Sequence, residues 1–192
     1  MNTPAHAVLN LLILGRKNRP KRCLPIVVGA LAPDMPMFFF YFYEKIILHE
    51  REDAIWSERY FDADWQGFFN LFNSLPLMLL GMLIAARSGA TWLVLFFFSM
   101  ILHVFEDLPL HHADAHAHAH FFPFSDWRFQ SPVSYWNPSY YGHIVAPMEG
   151  VAVLVGSIFL LRRDRSPWAK TLIGGLLAVY LVYWVYAIWV WS

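Results

Sequence analysis

Five long apolar segments constrain this chain more than any other feature of its sequence. They cover residues 24–43, 68–86, 91–109, 144–161 and 168–190. A helix needs about 20 mainly apolar residues to cross a hydrocarbon core of about 30 Å, and each segment is close to that length. The chain is 58% hydrophobic and only 15% charged, whereas a soluble domain is about 25% charged. We therefore predict an all-α, polytopic transmembrane helical bundle, with residues 1–192 forming a single domain.

A sixth apolar run, residues 4–15, is too short to span a bilayer. It follows Asn2 and Thr3 and begins at Pro4, and a proline in the first turn is typical of a helix start. We predict that this run forms a half-length helix packed among the five full spans.

Basic residues are unevenly distributed among the segments that connect the spans. Segment 16–22 has five basic residues and no acidic one, and segment 162–170 has four basic residues and one acidic residue. Segment 44–67 has seven carboxylates against three basic residues, and Arg128 is the single basic residue of segment 110–143. The positive-inside rule then places the two basic segments in the cytoplasm and the other two outside, with every span alternating in direction. The net charge of zero, without a basic patch, argues against a nucleic-acid partner.

The stretch 103-HVFEDLPLHHADAHAHAH-120 closes the third span and holds six of the nine histidines of the chain. His103 and Asp107 are four residues apart, so they share one face of a helix. Such a pair either binds a metal ion or forms a histidine–carboxylate hydrogen bond, which is common. Because the pair ends an apolar span and leads into five more histidines, we favour a metal site.

The predicted outward-facing loop, residues 110–143, continues with further candidate ligands. Neutral imidazole is a preferred ligand of zinc and also suits nickel, copper and iron. Alternation in 116-HAHAH-120 would place its three histidines on one side of an extended segment. These histidines are either ligands, groups that orient ligands, or a loose tract that collects metal. The predicted loop ligands are His112, His116, His118 and His120.

Two carboxylates in the same stretch are candidates for a general base. Glu106 is next to Asp107, so on a helix it points about 100° away from the face of that ligand. Asp114 lies in the loop and is not restricted in this way. We therefore favour Asp114 over Glu106.

Two more ionisable residues are expected near the same depth in the membrane. Asp34 lies in the first full span between Pro33 and Pro36, which break or kink a helix. Charged side chains within spans are costly and usually functional, although Asp34 could instead cap the second half of the broken helix. His6, at the outward start of the short helix, would meet Asp34 and His103 if these helices pack together. We predict that His6 and Asp34 are also metal ligands.

Five short motifs follow one another along the chain, and they are 3-TPAH-6, 29-GALAPD-34, 73-NSLP-76, 103-HVFED-107 and 123-PFSDW-127. Their order resembles the bacterial membrane-bound metal-dependent hydrolase family, whose members are multi-helix inner-membrane proteins. The likeness runs from about residue 3 to residue 143 and leaves the last two spans without a motif. Asn73 departs from the family pattern, which commonly has histidine there, and asparagine is a poor zinc ligand.

This resemblance implies a metal-dependent hydrolase in a bacterial inner membrane, with its active site facing the periplasm or the exterior. More remotely, the succession of histidines and aspartates is similar to zinc-dependent phospholipase C and related single-strand nucleases. That likeness implies a phosphoesterase, and we expect one to three zinc ions. A site at the outer boundary of the membrane suits a lipid or lipid-linked phosphate ester, and a soluble substrate is the alternative. The alternative is a divalent-metal transporter or metal-binding membrane protein. A transport path needs polar groups through the full thickness of the membrane. The inner half of the third span offers only Thr91 and Ser99 as polar groups, which favours the enzyme.

Overall fold

The computed structural model describes residues 1–17, 19–112 and 117–191, and helices dominate these ranges. The described residues contain no β-strand, and their one β-bridge joins His112 to Ser131. The α-helices are α1 (Thr3–Leu14), α2 (Cys23–Leu31), α3 (Met35–Phe42), α4 (Glu52–Ser57), α5 (Ala63–Phe72), α6 (Leu75–Arg87), α7 (Thr91–Asp107), α8 (Gly142–Arg163) and α9 (Pro167–Trp191). Short 3-10 helices cover Pro20–Arg22, Ala32–Asp34, Arg59–Phe61, Leu108–Leu110 and Pro138–Tyr140, and Tyr43–Ile47 is a π-helical turn.

Several of these helices are long and apolar enough to cross a membrane. They are the helical segments Pro20–Ile47, Thr91–Leu110, Gly142–Arg163 and Pro167–Tyr186, and the bent pair α5 and α6 is long and apolar enough when it is taken as one segment. Helix α1 is apolar but has only 12 residues. The predicted all-α helical bundle is therefore confirmed, with four spans and a fifth if α5 and α6 are counted as one. The second span differs from the prediction, because it begins at Ala63 and bends by 42° between α5 and α6.

The bend lies at Asn73 and Ser74, within the motif 73-NSLP-76. Ser74 Oγ accepts a hydrogen bond from the Leu77 backbone N–H at 3.3 Å and so caps α6. Asn73 Nδ2 donates to the carbonyl oxygen of Phe69 at 3.0 Å and to that of Pro33 at 3.3 Å. The Asn73 amide thus closes the end of α5 and ties it to the break in the first span.

Helix α7 is the central element of the bundle and packs against α1, α2 and α6. Gly29 lets α2 approach α7 closely, because a Cβ atom at this position would lie 2.3 Å from the carbonyl oxygen of Phe96. Small residues allow this kind of close backbone contact between membrane helices. Helices α8 and α9 pack against each other and against α1.

Polar groups join α1 to α7 about one helical turn from His6 and His103. Asn10 Nδ2 donates to the carbonyl oxygen of Ser99 at 2.9 Å and to its hydroxyl at 2.8 Å. The Ser99 hydroxyl in turn donates to the carbonyl oxygen of Ile26 on α2 at 2.6 Å. Asn10 lies four residues after His6 and Ser99 lies four residues before His103, so the two helices run antiparallel with their polar residues in register.

Candidate metal centre

Three buried side chains from α1 and α7 converge at the end of the third full span. His6, His103 and Asp107 each offer one ligand atom, and these atoms lie within 4.8 Å of one another. Asp107 Oδ1 is 3.1 Å from His6 Nε2, and Asp107 Oδ2 is 3.3 Å from His103 Nε2. The imidazole rings of His6 and His103 are stacked, with their centroids 3.6 Å apart. The structure therefore brings together the i, i+4 pair on α7 and the histidine predicted on the short helix.

Each of the two imidazole rings has its Nδ1 atom bonded to a group outside this cluster. His103 Nδ1 donates to the carbonyl oxygen of Ala30 at 2.7 Å, and a carbonyl oxygen can only accept. Ala30 is in the last turn of α2, next to the 3-10 turn Ala32–Asp34, and the last carbonyl groups of an α-helix need partners from outside the helix. His6 Nδ1 donates to Glu106 Oε2 at 2.8 Å. In a neutral imidazole held this way, Nε2 carries the lone pair that binds metal.

The two Nε2 atoms are buried and have no hydrogen-bond partner among the described residues. Each Nε2 atom lies within 3.3 Å of an Asp107 carboxylate oxygen, but these contacts lack hydrogen-bond geometry. The backbone nitrogen of Met1 also contacts Asp107 Oδ1. A buried polar atom without a partner costs about 1–3 kcal/mol, and a bound ion removes that cost. Two histidines and one carboxylate form a known ligand set of catalytic zinc, so the residues fit a zinc ion.

Asp34 faces the same cluster from the break in the first span. Its Oδ1 atom is 3.5 Å from His103 Nε2, and its Oδ2 atom accepts a hydrogen bond from the Thr3 hydroxyl at 2.6 Å. Asp34 occupies the N-cap position of α3 but makes no capping hydrogen bond, so the interpretation of this residue as a helix cap is wrong. Its side chain is 24% exposed, compared with 10% for Asp107. Asp34 therefore lies on the more open side of the cluster.

His111 also lies beside this cluster, although it is not among the site residues predicted from the sequence. Its Nε2 atom lies 3.3 Å from Asp107 Oδ2 and is buried without a hydrogen-bond partner in the described ranges. It follows Asp107 by four residues, which is the spacing of the pair His103 and Asp107. That repeated spacing was the available signal, because the 3-10 turn Leu108–Leu110 continues the helix far enough to keep His111 on the same side.

His112 has partners of its own in the loop. Its Nδ1 atom donates to the carbonyl oxygen of Ser131 at 2.6 Å, and its ring stacks on Tyr140 with a centroid distance of 3.5 Å. It does not belong to the group of converging ligand atoms found in the described ranges. Two other predicted site residues, Asp114 and His116, lie outside the described residues.

His118 and His120 form the inner part of the loop. The His118 ring centroid is 6.2 Å from that of His111 and 6.3 Å from that of His120. Burial, together with the neighbouring His111 and His120, lowers the pKa of His118 to about 3. Burial also lowers the pKa of His120, against the opposing effect of the hydrogen bond from its Nδ1 to the carbonyl oxygen of Asn73 at 3.3 Å. Both side chains are therefore neutral at pH 7, which is the form of histidine that binds metal.

Comparison with known proteins gives no family for this chain. No family model matches it, and no curated protein or solved structure shows significant similarity to it. The chemistry of the converging residues is therefore the basis for a functional interpretation.

Proposed function

We propose that this membrane protein is a zinc-dependent hydrolase that acts on a phosphate ester or lipid-linked substrate at the outer face of a bacterial inner membrane. The observation that carries the proposal is the pair of buried nitrogen atoms, His6 Nε2 and His103 Nε2. Both lie beside Asp107, and both lack a hydrogen bond to any described residue. Their Nδ1 atoms are fixed by Glu106 and Ala30, which leaves Nε2 for the metal.

In this proposal His6, His103 and Asp107 hold the ion, and the carboxylate of Asp34 reaches it from the first span as a fourth ligand. A zinc ion held by these residues would polarise the scissile group and would lower the pKa of a bound water to about 7. Glu106 keeps the His6 ring in the orientation that ligation requires. The position of the cluster at the end of α7 suits a substrate whose phosphate lies at the membrane boundary.

The first test is the zinc content of the purified protein in detergent. The wild type is expected to hold at least one zinc ion per chain, and His103→Ala and Asp107→Ala are expected to lose it. His143→Ala is the matched control, because His143 is an exposed histidine whose Nδ1 donates to the carbonyl oxygen of Pro138 at 3.1 Å. A wild-type protein without zinc, whose stability a chelator does not change, would contradict the proposal.

The second test is a substrate screen with and without chelator. Phosphomonoesters, phosphodiesters and carboxylic esters are offered both as soluble compounds and as lipids. Hydrolysis that is lost on chelation and restored by zinc supports the enzyme.

A divalent-metal transporter is the competing function, because Asn10 and Ser99 extend the polar contacts of α1 and α7 one turn inward. These two side chains bind each other and the backbone of Ile26, so they offer a structural tie and no further carboxylate. Zinc uptake by liposomes that contain the protein, without hydrolysis of any substrate, would favour the transporter.

A further inference from the structure

Asn2, the residue immediately before α1, is held by a buried carboxylate from another span. Glu149 on α8 accepts hydrogen bonds from the Asn2 backbone N–H at 3.1 Å and from Asn2 Nδ2 at 2.6 Å. The Tyr180 hydroxyl on α9 donates to the same carboxylate at 3.1 Å. Glu149 is 6% exposed and Tyr180 is 2% exposed. The last two spans, which carry none of the sequence motifs, therefore meet the start of α1 at a single carboxylate.

The electrostatics of this contact favour a defined position for α1. The first N–H groups of a helix have no partner within the helix, and a carboxylate near them also interacts favourably with the helix dipole. Asn2 is at the N-cap position of α1, yet its side chain does not cap the helix because it is bonded to Glu149. Ionisable residues within membrane spans are costly and usually functional, and Glu149 contributes no ligand to the group formed by His6 and its partners.

The position of Asn2 sets the position of His6, which lies four residues later on α1. Side chains project from an α-helix at fixed angles, about 100° apart per residue. They therefore move together when the helix rotates about its axis, and a small rotation of α1 would move His6 Nε2 away from Asp107. Thr3 gives a second fixed point, because its hydroxyl donates to Asp34 Oδ2 at 2.6 Å. Two consecutive residues thus tie the start of α1 to carboxylates on two different spans.

We propose that Glu149 and Tyr180 are positioning residues for the metal centre, and that they keep His6 Nε2 beside Asp107 by holding Asn2. They act through α1 and not as ligands. This inference rests on the proposed metal-binding function, but it assigns a role to α8 and α9 that the function itself does not require.

The test is the zinc affinity of the full chain in detergent, measured by competition with a chromophoric chelator. Glu149→Ala removes the acceptor of three hydrogen bonds and is expected to weaken zinc binding about 10- to 100-fold, the range seen when groups that orient metal ligands are removed. Glu149→Gln keeps one oxygen that can accept from Asn2 and is expected to restore most of the affinity. Tyr180→Phe removes one of the three bonds and is expected to have a smaller effect in the same direction.

A cobalt-substituted protein gives a readout that a general loss of stability would not change. Glu149→Ala is expected to give the visible absorption spectrum of His6→Ala, because both lose the same ligand, while its thermal unfolding remains cooperative. Glu44→Gln is the matched control, since Glu44 is also a buried carboxylate, 2% exposed, that accepts a side-chain hydrogen bond, from Trp65 Nε1 at 3.0 Å. This control is expected to bind zinc like the wild type.

The outcomes separate this inference from the proposed function. A wild type that binds no zinc overturns the function and with it the inference. A wild type that binds zinc, together with a folded Glu149→Ala variant of equal affinity and equal cobalt spectrum, overturns the inference alone. If Glu149→Ala does not fold, Tyr180→Phe decides, and unchanged zinc affinity with an unchanged cobalt spectrum in that variant overturns the inference.

Discussion

Substitution of Glu106 separates two roles for this carboxylate. The sequence made Glu106 a candidate general base, whereas the structure places its Oε2 atom 2.8 Å from His6 Nδ1. Its Oε1 atom is buried and has no hydrogen-bond partner among the described residues. In Glu106→Gln the amide oxygen can still accept from His6, but the negative charge is lost and an unpaired amide nitrogen is buried in place of Oε1.

The size of the effect follows from these contacts. A hydrogen bond to a charged group contributes about 1.5–3 kcal/mol, and one between neutral groups contributes about 0.5–1.5 kcal/mol. The difference is roughly 1 kcal/mol, and the buried amide adds to it. Since 1.4 kcal/mol corresponds to a factor of ten, we expect Glu106→Gln to bind zinc about 10-fold more weakly. Glu106→Ala leaves the His6 ring without its partner, and we expect a loss of about 100-fold.

Competition with a chromophoric chelator at neutral pH measures these affinities, and turnover at saturating zinc measures catalysis separately. The control is Glu58→Gln, the same chemical change at an exposed residue. If Glu106→Gln binds zinc as tightly as the wild type and yet has no turnover at saturating zinc, Glu106 acts as the base and the positioning role is refuted.

Three further predictions concern packing, pH and topology. Gly29→Ala is expected to lower the thermal midpoint, because its Cβ would lie 2.3 Å from the Phe96 carbonyl oxygen. Gly67→Ala, whose Cβ would have nothing within 4 Å, is expected to stabilise the protein by about 0.5–1 kcal/mol. Equal thermal midpoints for the two variants would contradict the close contact at Gly29. The pKa of His118 is lowered to about 3. Its contribution to the free energy of unfolding is therefore complete above about pH 6.5 and is lost as the pH falls towards 3, because the unfolded chain takes up a proton that the folded chain does not. In chelator, His118→Gln is therefore expected to flatten the fall of the thermal midpoint below pH 6.5, and an unchanged slope would refute this. A cysteine at Ser125, in a background without the native cysteine, is expected to react with an impermeant thiol reagent from the periplasmic side, and labelling from the cytoplasm would reverse the topology.

The spans could be predicted because membrane helices depend mainly on length and hydropathy, both of which are local properties of the sequence. The bend in the second span was missed although its signals were present. Ser74 is a typical N-cap residue and Pro76 a typical first-turn residue, but the apolar residues on both sides suggested a continuous helix. The break at Pro33 was predicted correctly because proline removes a backbone donor wherever it stands.

The site was predictable in the part that depends on helical spacing. His103 and Asp107 share a face of α7 whatever surrounds them. From the sequence, the direction of the Glu106 side chain could be judged only relative to the face of α7 that carries Asp107. The sequence does not show that α1 lies across both residues. The contact of Glu106 with His6 therefore depends on how two helices pack, which no local pattern encodes.

The converging residues are far apart along the chain, and this separation determines when their cluster can assemble during synthesis. His6 and Glu106 are 100 residues apart, and synthesis at about 5–20 residues per second takes on the order of 5–20 s to cover that distance. During this interval the short helix α1 has been made, but the side chains that fix its histidine do not yet exist. In the proposed function, zinc would bind at this site only after the third full span is inserted and α1 has docked against it. The metal content of newly made protein would therefore report on the order in which its helices assemble.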